Sequence, residues 1–102
     1  MEQISVDDLA PRLEAGAVLL DVREPKELTE VRVPGVVAIP LGEVAERLAD
    51  IPDGDELYVI CRSGGRSAKA CEIIQAAGRS AVNVAGGTIA WVGSGRPTES
   101  GG

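Results

Sequence analysis

Apolar residues in this chain gather into short unbroken runs, separated by stretches in which they recur every three or four positions. Val18-Leu19-Leu20-Asp21-Val22 and Leu57-Tyr58-Val59-Ile60 are runs of the first kind. A strand with water on one face alternates apolar and polar residues, so an unbroken run predicts a strand covered on both faces. Val36-Val37-Ala38-Ile39, ended by Pro40, reads the same way, and Ala81-Val82-Asn83-Val84 reads as a further strand.

The intervening stretches carry helix signals. Ser5 followed by Asp7 and Asp8 predicts an N-cap with acidic residues in the first turn. That helix should run to about Ala15 and stop at Gly16, with Pro11 kinking it or delaying its start. Glu24 to Leu28 reads as a short helix with Pro25 at its first position. Leu41, Val44, Ala45, Leu48 and Ile51 fall at helical spacing and predict a helix over 41–51, followed by a turn at Pro52-Asp53-Gly54-Asp55. Ser67 to Ala77 predicts a helix closed by Gly78, and Gly86 to Trp91 opens a last short one.

Strands alternating with helices imply an α/β fold with a mainly parallel sheet and helices on both faces. In such sheets functional sites lie beyond the carboxyl ends of the strands, and Cys61 follows the strand Leu57–Ile60 directly. The 102 residues suit one domain, expected over 1–93, with a Gly/Ser-rich tail over 94–102. No repeat is evident.

Composition narrows the chemistry. A net charge of −6 and a single Trp and Tyr, with no Phe, speak against nucleic acid, which wants a basic surface or a stacking platform. No apolar run approaches the roughly 18 residues of a membrane span. The acidic start Met1-Glu2-Gln3 lacks the features of a secretory signal, so a cytoplasmic protein is expected. The chain has no histidine, which excludes a Cys–His dyad, a serine triad and any His-ligated metal within it. Two cysteines cannot form a four-cysteine zinc site. Neither a metal nor a cofactor is expected.

The loop Cys61-Arg62-Ser63-Gly64-Gly65-Arg66-Ser67 holds the candidate chemistry. Gly64 and Gly65 let the backbone curl until several N–H groups face one point. The helix that follows adds its free N–H groups, and Arg62 and Arg66 add positive charge. Such a cradle suits an anionic sulfur. A free thiol, with pKa about 8.5, is only a few per cent thiolate at neutral pH. A helix terminus supplies about 0.3–1 kcal/mol, under one pKa unit, whereas hydrogen bonds to a charged group supply about 1.5–3 kcal/mol each. Loop amides and arginines must therefore do most of the activation of Cys61. Cys71, among Ala68, Ala70, Ile73 and Ile74, is expected in the core.

Four segments together resemble the rhodanese family of sulfurtransferases. Leu20 to Glu27 is similar to its early "DVRE…E" motif, and Val33 to Leu41 to its "IPGA…IPL" segment. Cys61 to Ser67 is similar to its active-site loop, and Gly86 to Trp91 to its late "GG…W" motif. The resemblance implies a rhodanese-like three-layer fold, with a mainly parallel five-stranded sheet between helices. It also implies a ping-pong reaction. Cys61 would be the catalytic residue, taking a sulfane sulfur from a small anionic donor such as thiosulfate and passing it to cyanide, a thiol or a protein acceptor. The N–H groups of Arg62, Ser63, Gly64, Gly65, Arg66 and Ser67 would hold the persulfide, with Arg62 and Arg66 on the donor's oxyanion. Asp21 and Arg23 would brace the surrounding loops, Trp91 would anchor the last helix, and Arg32, where many relatives have histidine, would point to solvent.

Two other functions are open. A phosphatase or arsenate reductase of the same fold would use a cysteine loop one residue longer, able to wrap a tetrahedral oxyanion. The four residues between Cys61 and Arg66 suit a single bound sulfur better. A non-catalytic sulfur-relay or binding module is the other, against which stand Cys61 and both arginines. The terminal Gly101-Gly102 is also found in ubiquitin-like sulfur carriers.

Overall fold

A computed structural model describes residues 2–101. Its strands are β1 (Gln3–Ile4), β2 (Val18–Asp21), β3 (Val37–Ala38), β4 (Leu57–Ile60) and β5 (Val82–Val84). Four helices, α1 (Val6–Glu14), α2 (Pro25–Glu30), α3 (Gly65–Ala76) and α4 (Gly87–Gly93), alternate with them. The strands form one sheet in the order β1-β5-β4-β2-β3, with every pair parallel.

β4 lies at the centre, and its four residues are all buried, as its unbroken apolar run requires. Its side chains divide between two cores. Leu57, Val59 and Cys61 join Leu20, Val22, Ala70, Cys71 and Ile74 on the face covered by α3. Tyr58 and Ile60 join Leu9, Leu19, Val84 and Trp91 on the face covered by α1 and α4. Cys61 thus continues the α3-side phase of β4. Its register with β2, Leu20 opposite Val59 and Asp21 opposite Ile60, brings the carboxyl ends of the two strands together.

α1 begins at the predicted cap, where Ser5 accepts a hydrogen bond from the Asp8 amide at 3.1 Å. Pro11 does not delay its start. The carbonyl of Asp7, deprived of its partner four residues on, belongs to an exposed residue that water can satisfy. The predicted helix over 41–51 is instead two 3₁₀ turns, Leu41–Glu43 and Leu48–Asp50. Arg47, between them, leaves helical geometry at φ −117°, ψ 27°. The apolar spacing still does its work, because Val44 and Ile51 are buried against the sheet.

The predicted buried strand over 36–39 shrinks to an edge strand of two residues with Ala38 exposed. α3 starts at Gly65, two residues before the predicted Ser67. β1, unforeseen in the sequence, is too short to carry a pattern and is held by β5, with Asn83 N–H donating to Glu2 and Ala85 N–H to Ile4.

Residues 94–101 lie along the body. The Trp91 indole N–H donates to the Pro97 carbonyl at 2.9 Å, Arg96 pairs with Asp7, and Glu99 bridges Arg32 in antiparallel fashion. Arg32 does not point to solvent; its guanidinium donates to the carbonyls of Leu28 and Gly101. Gly102, second of the terminal glycine pair, lies outside the described residues. None of the described helices is long and apolar enough to cross a membrane.

Candidate active site

The loop after β4 is shaped from two sides. On one side Gly64 takes φ +116°, a left-handed conformation that glycine alone adopts without strain, and starts α3 as its N-cap. On the other side the first turn of α4 presses onto the peptide after Cys61. Thr88 donates to the Cys61 carbonyl through its amide at 2.9 Å and its hydroxyl at 3.0 Å, and the Ile89 amide donates to the Arg62 carbonyl at 3.1 Å. With those carbonyls drawn into α4, the Ser63 amide that follows is left to face the sulfur. Contact this close needs Gly87, whose φ is +56° and whose missing Cβ would fall 2.5 Å from the Cys61 carbonyl oxygen.

Cys61 is 1% exposed, and its Sγ lies 3.1 Å from the Gly64 amide and 3.3 Å from the Ser67 hydroxyl. Burial alone would push the thiol up. The Ser67 hydroxyl and the amides of Ser67, Gly64 and Ser63 outweigh it, and Cys61 stands below the usual thiol range. Cys71 has no such partners; burial pushes it up to about 11, as suits a core residue.

The arginines divide. Arg66 is held by both oxygens of Glu27, at 2.7 and 2.8 Å, so its charge is largely committed. Arg66 in turn holds the Glu27 carboxyl well below the usual range, at about 2. Arg62 is exposed and forms no ion pair among the described residues. It lines a cleft of about 310 Å³ with Arg23, Glu27, Thr88, Ile89 and Val92. Cys61 itself is not among the residues that line it. Ser63 and Gly65 are exposed at the loop surface, with Gly65 opening α3, and Ser67 is buried.

Asp21 and Arg23 pair directly. The guanidinium spans both Asp21 oxygens at 3.0–3.1 Å and reaches on to the carbonyls of Val31 and Glu27. The pair is almost wholly buried and braces the segment after α2 against the sheet. Two residues of the site have partners that the sequence does not pair with them. Glu27 stands 39 residues from the arginine it binds. Asn83, on β5, accepts from Ser67 and donates to the Gly64 carbonyl. The only sequence hint of Asn83 is a polar residue within an apolar strand.

Comparison with known proteins agrees with this geometry. The rhodanese-like domain model matches residues 5–94. A sulfurtransferase of Allochromatium vinosum is 32% identical over 100 residues, spanning 95% of this chain and 94% of its own. The thiosulfate sulfurtransferase PspE of Escherichia coli is 41% identical over 70 residues, 67% of each chain. The crystal structure of a rhodanese-related protein from Thermoplasma volcanium superposes with a TM-score of 0.90 at 33% identity, covering 97% of this chain and 98% of that one. From the cysteine loop to the sheet that carries it, the chain belongs to the rhodanese-like domain family.

Proposed function

We propose that the protein is a thiosulfate sulfurtransferase working through a persulfide on Cys61. One observation carries the reading: a buried cysteine sulfur faced by backbone amides and 3.3 Å from the Ser67 hydroxyl, in a chain without histidine. Such donors stabilise a thiolate, and equally a persulfide anion, without a general base.

In the first half-reaction the Cys61 thiolate attacks the outer sulfur of the donor. A Cys61 S–S bond forms, the donor's S–S bond breaks, and sulfite leaves with the electron pair. In the second, a nucleophile bonds the outer sulfur and the Cys61 thiolate departs. Cyanide leaves as thiocyanate; a thiolate leaves as a persulfide. Arg62 would meet the donor's oxyanion, the amides of Ser63, Gly64 and Ser67 would hold the sulfur, and Gly65 and Arg66 would maintain the loop. Ile89 and Val92, 50% and 46% exposed at the cleft, offer an apolar edge to a thiol or protein acceptor larger than cyanide.

Steady-state assay with thiosulfate and cyanide tests this. Thiocyanate should form with parallel double-reciprocal lines, and Cys61→Ser should be inactive. Fast aryl phosphate hydrolysis without thiocyanate would overturn the reading in favour of a phosphatase.

A further inference from the structure

β5 is apolar except for Asn83, whose side chain is 3% exposed. A primary amide buried among valines needs partners, and both of its partners lie in the cysteine loop. Its Nδ2 donates to the Gly64 carbonyl at 3.1 Å, and its Oδ1 accepts from the Ser67 hydroxyl. These are the residues whose N–H (Gly64) and hydroxyl oxygen (Ser67) lie within hydrogen-bond distance of the Cys61 sulfur. Asn83 therefore grips both partners of the sulfur without bonding to the sulfur itself.

Ser67 has one hydroxyl proton and two acceptors within reach, Asn83 Oδ1 and Cys61 Sγ. We propose that Asn83 is a positioning residue that holds the Ser67 hydroxyl proton away from the unloaded Cys61 sulfur. In the neutral thiol the chain is complete: S–H donates to Ser67 Oγ, and Ser67 O–H donates to Asn83 Oδ1. When the thiol ionises its proton leaves to solvent. Ser67 must then turn its O–H to the sulfur, and Asn83 Oδ1 loses that donor. Ionisation of the empty cysteine thus carries a cost set by Asn83.

The loaded cysteine escapes that cost, a consequence that rests on the persulfide reading above. In a persulfide the negative charge sits on the outer sulfur and Sγ has two covalent bonds. Ser67 can stay with Asn83 while the Gly64 amide, steadied through its carbonyl, keeps its aim. Asn83 accordingly favours the loaded state over the empty thiolate.

The charged groups around the sulfur are Arg62 and Arg66 from the loop and α3, Glu27 from α2, and Asp21 and Arg23 at the end of β2. None of them hydrogen-bonds the side chain of Ser67 or Asn83 among the described residues, and α4 contributes the uncharged Thr88. A substitution at position 83 leaves all of these charges in place.

The test is the pH dependence of Cys61 alkylation by iodoacetamide in the full chain, read on the Cys61 peptide by mass spectrometry. Asn83→Leu frees the Ser67 hydroxyl for the sulfur. The midpoint should fall by about one pH unit, giving about tenfold more thiolate at a pH below both midpoints. In a Ser67→Ala background the same substitution should no longer lower the midpoint. Asn83→Val, a stronger strand former, should show the same fall should the leucine variant fail to fold. A midpoint that stays or rises would overturn the proposal, as would an equal fall without the Ser67 hydroxyl. Alkylation needs no sulfur donor, so this outcome is independent of whether the protein transfers sulfur.

Discussion

Gly87→Ala is the sharpest perturbation of the site that leaves every polar group in place. A Cβ there would lie 2.5 Å from the Cys61 carbonyl oxygen, 2.6 Å from that of Arg62 and 2.7 Å from the Arg62 carbonyl carbon. All three are backbone atoms and cannot swing aside. The residue would also have to hold φ +56°, which costs a non-glycine about 1–2 kcal/mol. Overpacking adds about 1–3 kcal/mol. Relief by lifting α4 would sacrifice the Thr88 and Ile89 amide bonds to the loop, at about 1 kcal/mol each. The expected loss is about 2–5 kcal/mol, large beside the roughly 5–15 kcal/mol total of a small domain. Urea unfolding followed by Trp91 fluorescence measures it, with Gly65→Ala as control in the same loop. At Gly65 a Cβ would have nothing within 4 Å, and φ is not positive. That variant should stay within about 0.5 kcal/mol of the parent or gain up to about 1. Equal midpoints for the two variants would refute the idea that α4 shapes the cysteine loop by close backbone contact.

Three further outcomes are expected. Asp21→Ala strands the buried Arg23 guanidinium and should cost about 3–5 kcal/mol in urea unfolding; a loss below 1 would mean the pair does not brace the fold. Glu27 has a depressed folded pKa, so its stabilisation is complete above its ordinary 4.5 and is lost as pH falls towards about 2. Screening of this partly exposed pair limits the effect to about 1 kcal/mol, and Glu27→Gln should remove that part of the acid loss between pH 5 and pH 2.5. Arg62→Ala should raise KM for thiosulfate about tenfold with a smaller change in kcat, an effect that fades with added salt. Arg66→Ala, whose charge Glu27 already holds, should change KM less; the reverse order would contradict the division of the arginines.

How much of this was legible in the sequence follows from the range of each contact. The cysteine loop could be read because strand, glycines and helix are adjacent in the chain, so a local pattern specifies a local cradle. The central strands were legible because β4 is apolar throughout and β2 is apolar up to its last residue, Asp21, both being covered on both faces. The segment 41–51 shows the limit of periodicity: Val44 and Ile51 are buried whether the backbone is α-helical or coiled into 3₁₀ turns. Gly86-Gly87 was visible as a motif, but its purpose lies in contact with the Cys61–Arg62 peptide, some 25 residues earlier in sequence. Asn83 and Glu27 act across 16 and 39 residues, and no spacing rule connects such partners. Arg66 illustrates the consequence. Sequence counts its charge, but only the fold reveals that a carboxylate already occupies it.

The central claim is that Cys61 carries a sulfur atom, and intact-protein mass spectrometry after brief incubation with thiosulfate tests it most directly. The account predicts a gain of one sulfur atom, mapped to Cys61, reversed by cyanide and absent in Cys61→Ser. An unchanged mass across a range of sulfane donors, or a gain that persists in Cys61→Ser, would contradict it.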